Sequence, residues 1–71
     1  MNNTRRKKIQ QALLLINQVS SMLENVLEEE EEAYNNIPEN LQDSSNSQEV
    51  IDDISEAIGS LEDIVMLLEE L

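Results

Sequence analysis

The chain has 71 residues, room for one small domain, and a domain of that size buries only about 60% of its unfolded surface, which leaves it marginal alone. It contains no cysteine and no histidine. That excludes disulfide staples and cysteine/histidine metal sites, and oligomerisation is the remaining way to support so small a core.

Charge is the most informative property. Sixteen acidic side chains stand against four basic ones, for a net charge of −12. The four cations are consecutive, Arg5, Arg6, Lys7 and Lys8, so residues 9 to 71 hold every carboxylate and no cation. Such a field repels nucleic acid and anionic membrane and steers the chain toward basic surfaces, over a screening length of about 8 Å at physiological salt.

Asn2, Asn3 and Thr4 offer N-caps for a first helix, expected over residues 4–34. The basic cluster that follows has no secretory apolar segment behind it, because Asn17, Gln18, Ser20 and Ser21 interrupt at once. The longest apolar run, Ala12 to Ile16, is far short of the roughly 20 residues that span a bilayer. A soluble protein of the cytoplasm is therefore expected. The apolar stripe of the first helix reads Ile9, Ala12, Leu13, Ile16, Val19, Leu23, Val26 and Leu27, fading toward Ala33 and Tyr34.

A break is expected over residues 35–44. Asn36 tolerates turn conformations, and Pro38 biases Ile37 away from the helical region. Ile37 and Leu41 are expected to tuck against Tyr34 and cap the seam. Ser45 with Gln48, or Asn46 with Glu49, would form a capping box for a second helix over residues 46–70. There Ile54, Leu61 and Leu68 take heptad position a, Val50, Ala57, Ile64 and Leu71 position d, and Ile51, Ile58 and Val65 position e. Gly59 falls at an exposed position f, where glycine costs about 1 kcal/mol relative to alanine.

The two periods match, so the expected fold is all-α: a coiled-coil-like antiparallel hairpin of two helices, one domain over residues 1–71, with two such hairpins pairing into a four-helix bundle. Its open end carries surplus apolar side chains, Leu14 and Leu15 on the first helix and Met66 and Leu67 on the second, which read as the interface of a homodimer or as a contact for a foreign protein. Arg5 to Lys8 would face Glu69, Glu70 and Leu71 there.

The closed end carries the acidic run Glu28, Glu29, Glu30, Glu31 and Glu32, with Glu30 at the seam. Glu49, Asp52, Asp53 and Glu56 of the second helix lie beside it. A basic start and an acidic end both oppose the dipole of the first helix, at about 0.3 to 1 kcal/mol per charge. The acidic run thus does nothing for helix stability. It reads either as a solvated, fraying last turn or as a surface that mimics the phosphates of a nucleic acid and docks on a basic partner.

Catalysis finds no footing. There is no glycine-rich phosphate loop and no cation beside a hydroxyl to activate it, and a thin hairpin offers no cleft in which paired carboxylates could work on a sugar. The segment from Asp43 to Asp53 lacks the alternating ligands and central glycine of a calcium loop. A non-enzymatic protein with no cofactor and no metal is expected.

The turn from Glu30 through Ala33, Tyr34, Asn36, Pro38 and Asn40 to Ser44, followed by the segment Ile54 to Glu62, resembles the short acidic helical-hairpin proteins of phages, prophages and mobile elements of Gram-positive bacteria. The likeness covers nearly the whole chain. It departs at Ser44 to Ser47, where relatives tend to be charged, and at Gly59. The resemblance carries no functional residues across. It implies a phage-type protein acting in a bacterial host, where small acidic proteins block defence nucleases, as anti-CRISPR or anti-restriction inhibitors do, or other nucleic-acid-binding proteins. The alternative is a structural or adaptor module that assembles through its apolar seam.

Overall fold

A computed structural model describes residues 1–42 and 46–71. The described residues form three helices, α1 (Asn3–Asn35), α2 (Glu39–Gln42) and α3 (Ser47–Glu69). The two long ones pack antiparallel into an extended hairpin. Its Cα extents are 58 × 15 × 11 Å and its radius of gyration is 16.8 Å, against about 11 Å for a compact chain of this length.

Helix α1 starts one residue earlier than expected. Asn2 is extended, and its Oδ1 accepts from the backbone N–H of Arg5 at 2.8 Å, satisfying one of the free donors of the first turn. The last turn closes through Asn36, whose N–H donates to the Glu32 carbonyl at 3.1 Å. The bend holds more helix than the sequence predicts. Pro38, whose missing N–H is no loss just ahead of a helix, leads into α2, and its carbonyl accepts from Leu41 N–H at 2.8 Å. The Gln42 side-chain amide reaches back to the carbonyls of Ile37 at 3.2 Å and Tyr34 at 3.4 Å, stapling the bend to the end of α1. Ile37 and Tyr34 are half-buried. Leu41, expected to tuck against Tyr34, is 51% exposed instead. Asn46 precedes α3 but makes no side-chain capping bond, so the Asn46–Glu49 box is not formed; the alternative through Ser45 lies outside the described residues.

The seam is a single file from each helix. On α1 the half-buried positions are Ile9, Leu13, Ile16, Ser20, Leu23, Leu27, Glu30 and Tyr34, in alternating steps of four and three. On α3 the seam runs through half-buried Ser47, Ile51, Ile54, Leu61, Val65 and Leu68 and buried Ile58, at the same steps. Ala12 and Val50 are half-buried at the margin. This corrects the expected stripe in two ways. Val19 and Val26 face out, at 45% and 42% exposure, while Ser20 and Glu30 take the inward places. On α3 the seam follows positions a and e, leaving Ala57, Ile64 and Leu71 exposed. Among the described residues only Ile58 is buried, at 9% exposure.

Gly59 is half-buried rather than exposed, yet a methyl group added there meets nothing within 4 Å. Gly59→Ala should therefore stabilise the fold by about 1 kcal/mol, raising the melting temperature by roughly 4–8 °C for a domain this small. Thermal unfolding followed by circular dichroism measures it. Ile58→Ala, by contrast, should cost about 2–5 kcal/mol and leave the chain largely unfolded at room temperature.

Candidate interaction surfaces

An antiparallel helix pair has an approximate two-fold axis normal to its own plane. Residues displaced in the same sense from the two seams therefore lie on the same face of the hairpin. On both helices, the residue just before each seam position sits about a quarter-turn from the seam. On α1 these residues are Ala12, Leu15, Val19, Met22 and Val26. On α3 they are Val50, Asp53, Ala57, Ser60, Ile64 and Leu67, with Leu71 continuing the line. Leu15 is 61% exposed, Met22 67%, Ile64 42% and Leu67 63%. The hairpin thus carries a second file on each helix, apolar from Ala12 to Val26 on α1 and interrupted by Asp53 and Ser60 on α3, and both open onto one face.

The opposite face, one residue past each seam position, is polar: Asn17, Ser21, Glu24 and Glu28 on α1, Asp52, Ser55 and Glu62 on α3. Leu14 and Met66 are its isolated apolar members. Met66 lines a shallow groove there with Asn17, Ser21, Glu24 and Glu62. Of the four side chains read as an oligomer interface, the fold brings Leu15 and Leu67 to the apolar face and sends Leu14 and Met66 to the polar one. All four are exposed. The wider face is hidden in the sequence because periodicity alone places Val19, Val26 and Ile64 in the seam. The signal was present in the apolar residue repeatedly standing just before a seam residue.

The acidic residues spread around the rod rather than gathering at one spot. Glu30 sits half-buried in the seam, and the other eight of the nine carboxylates read as a docking surface are exposed. Glu28, Glu29, Glu31 and Glu32 line one open cleft with Asn25 and Asn35 on the outer side of α1. Glu49 and Glu56 point outward from α3, Asp52 accepts from the Gln48 side-chain amide at 3.1 Å, and Asp53 lies at the bend end of the apolar face. The acids of α3 do not line the α1 cleft, so two acidic edges flank the rod. Among the described residues no three carboxylates converge as metal ligands.

At the open end Arg6 lines a cleft with Ile9, Leu13, Leu68, Glu69 and Leu71. The expected proximity of the basic cluster to the end of α3 is present for Arg6, but among the described residues no salt bridge closes there. No helix among the described residues is long and apolar enough to cross a membrane. No family model matches the chain, and neither a curated protein nor a solved structure is detectably similar to it.

Unpaired like charges on a thin rod repel one another, and salt screens that repulsion. Raising ionic strength from about 0.01 to about 0.15 M, where the screening length falls from about 30 to about 8 Å, should therefore raise the melting temperature. A melting temperature that falls with salt would mean that the carboxylates are held by attractive pairs.

Proposed function

We propose that the chain is a non-enzymatic interaction protein whose acidic edges occupy a basic, nucleic-acid-binding groove of another protein, displacing the phosphates that the groove would otherwise hold. One observation carries this reading. The exposed carboxylates of the two edges, Glu28, Glu29, Glu31 and Glu32 on α1 and Glu49 and Glu56 on α3, meet no cation among the described residues of the chain. Carboxylates at i, i+3 and i+4 on a helix stand about 5–6 Å apart, a spacing that an array of lysines and arginines made for phosphates can answer. Helix α1 supplies four of them from one rigid turn and a half. The phage-type setting implied by the resemblance of the turn makes a host defence nuclease the first partner to try.

The exposed apolar face favours a second reading, a structural or adaptor module that assembles through apolar contact, with its charge serving solubility. Ionic strength separates the two. Contacts made by carboxylates weaken steeply with salt, whereas apolar contacts hold or strengthen.

A panel of basic duplex-binding nucleases, each loaded with fluorescent DNA, provides the test. The chain should release DNA from at least one of them. Its potency should drop at least tenfold between about 0.05 and 0.2 M salt, the steepness expected when several charge contacts are involved. Reversal of Glu28, Glu31, Glu32 and Glu56 to lysine should abolish release while leaving helicity intact. Release that survives the reversal, or its absence across the panel, would sink the proposal.

A further inference from the structure

Followed from the open tip to the bend, the α1 side of the apolar face reads Lys8, Ala12, Leu15, Val19, Met22, Val26 and Glu29. Its apolar stretch is bounded by a cation at one end and an anion at the other, and Val19 stands at its midpoint. On α3, Ile64 lies near the level of Val19, since Asn17 to Glu24 face Glu62 to Met66 across one groove, with Ala57 and Leu71 equally spaced on either side of it and Ser60 and Leu67 between. The order of residues on α1 is thus matched to its own reverse, and on α3 Ser60 opposite Leu67 is the one mixed pair.

The exposed area calls for a cover. The chain exposes 5674 Å², whereas a folded monomer of its mass exposes about 4,500 Å². The excess, roughly 1,200 Å², exceeds the ~800 Å² that each partner of a standard stable interface contributes.

We infer that a second copy of this chain covers the apolar face, the two rods lying antiparallel, related by a two-fold axis that runs across them within the interface at the level of Val19 and Ile64. Helix α1 then packs on the partner's α1 and α3 on the partner's α3, giving a four-helix bundle. Val19 meets its own copy, Leu15 meets the partner's Met22, and Lys8 comes beside the partner's Glu29. The other two-fold arrangement, with the axis along the rods, buries the same face. However, it sets bend against bend, stacking Glu29 and Asp53 of both copies with no cation near. The antiparallel arrangement separates the acidic bends by most of the rod's length. It also sets the two α1 helices antiparallel, so the basic start of each lies beside the acidic end of the other. The inference does not rest on the docking reading, because the outward edges that carry Glu28, Glu31, Glu32 and Glu56 stay free in the pair.

Light scattering should return twice 8.1 kDa for the unaltered chain at tens of micromolar. Met22→Glu should yield a monomer, helical or unfolded, while Leu14→Glu, on the other face, should stay a helical dimer. The orientation is read separately. The chain has no native cysteine, so a nitroxide on Ala33→Cys is unique, and the two labels of an antiparallel pair should lie about 40 Å apart at 1.5 Å of rise per residue. Lys8→Glu should weaken pairing several-fold at low salt, and adding Glu29→Lys to the same chain should restore it. A monomeric native chain, a Met22→Glu variant that still pairs, or loss of pairing in both glutamate variants alike would overturn the inference. A label separation below about 20 Å would overturn the antiparallel arrangement.

Discussion

Two helices that touch along one line can cover one file of side chains from each, and this chain has two files on each helix. That constraint governs the rest of the molecule. The covered file runs from Ile9 to Tyr34 on α1 and from Ser47 to Leu68 on α3, and of these residues only Ile58 is buried. Ordering a residue costs about 1–2 kcal/mol of backbone entropy, while a half-buried leucine or isoleucine recovers only part of the 1.5–3 kcal/mol that full burial provides. A lone hairpin of this sequence stands near the edge of stability, and the exposed file is the reserve of apolar surface from which further stability can come.

The bend shows how local chemistry sustains so thin a structure. Helix α1 ends without a basic residue in its last turn to offset the glutamates there. The chain compensates by main-chain and amide hydrogen bonding. Asn36 and Ile37 donate to carbonyls of the last turn, α2 begins directly after Pro38, and Gln42 donates to two carbonyls at once. The junction of α1 and α2 is thereby held by neutral hydrogen bonds, which salt does not screen, without drawing on the carboxylates.

The helices, their antiparallel pairing and the half-buried Glu30 were legible in the sequence, because a 4–3 spacing sustained over Ile9 to Leu27 and Ile51 to Leu68 admits little else. The choice of seam was not. Ser20 follows Val19, Glu30 follows Glu29 and Ile58 follows Ala57, so two adjacent files share one period, and hydrophobicity alone favours Val19 over Ser20. What decides is the partner helix. Ile51, Ile54, Ile58, Leu61 and Val65 form the stronger file on α3, and rotating α1 to meet it along Leu13, Ile16, Leu23 and Leu27 carries Ser20 and Glu30 inward and Val19 and Val26 out. Pairwise choices of this kind are invisible to the periodicity of either helix alone. The Gln42 staple was hidden for a similar reason: a glutamine in a polar turn carries no pattern, and only the path of the chain shows which carbonyls it can reach.

Charge and shape bear on each other through the pairing. A single chain spreads a net charge of −12 along 58 Å, well under the density of duplex DNA, which carries one charge per about 1.7 Å of axis. Two chains laid side by side double the charge on a rod of much the same length and bring the density within a factor of two of the duplex. At the same time, helices about 10 Å across stacked two by two give a cross-section near that of a nucleic-acid helix rather than of a thin ribbon. The face that pairs is the one nearly free of carboxylates, so bringing the copies together conceals apolar surface and leaves the acidic edges outward. On this account the apolar file and the acidic edges are not competing explanations of one sequence. The first sets the width of the rod, and the second sets the field around it.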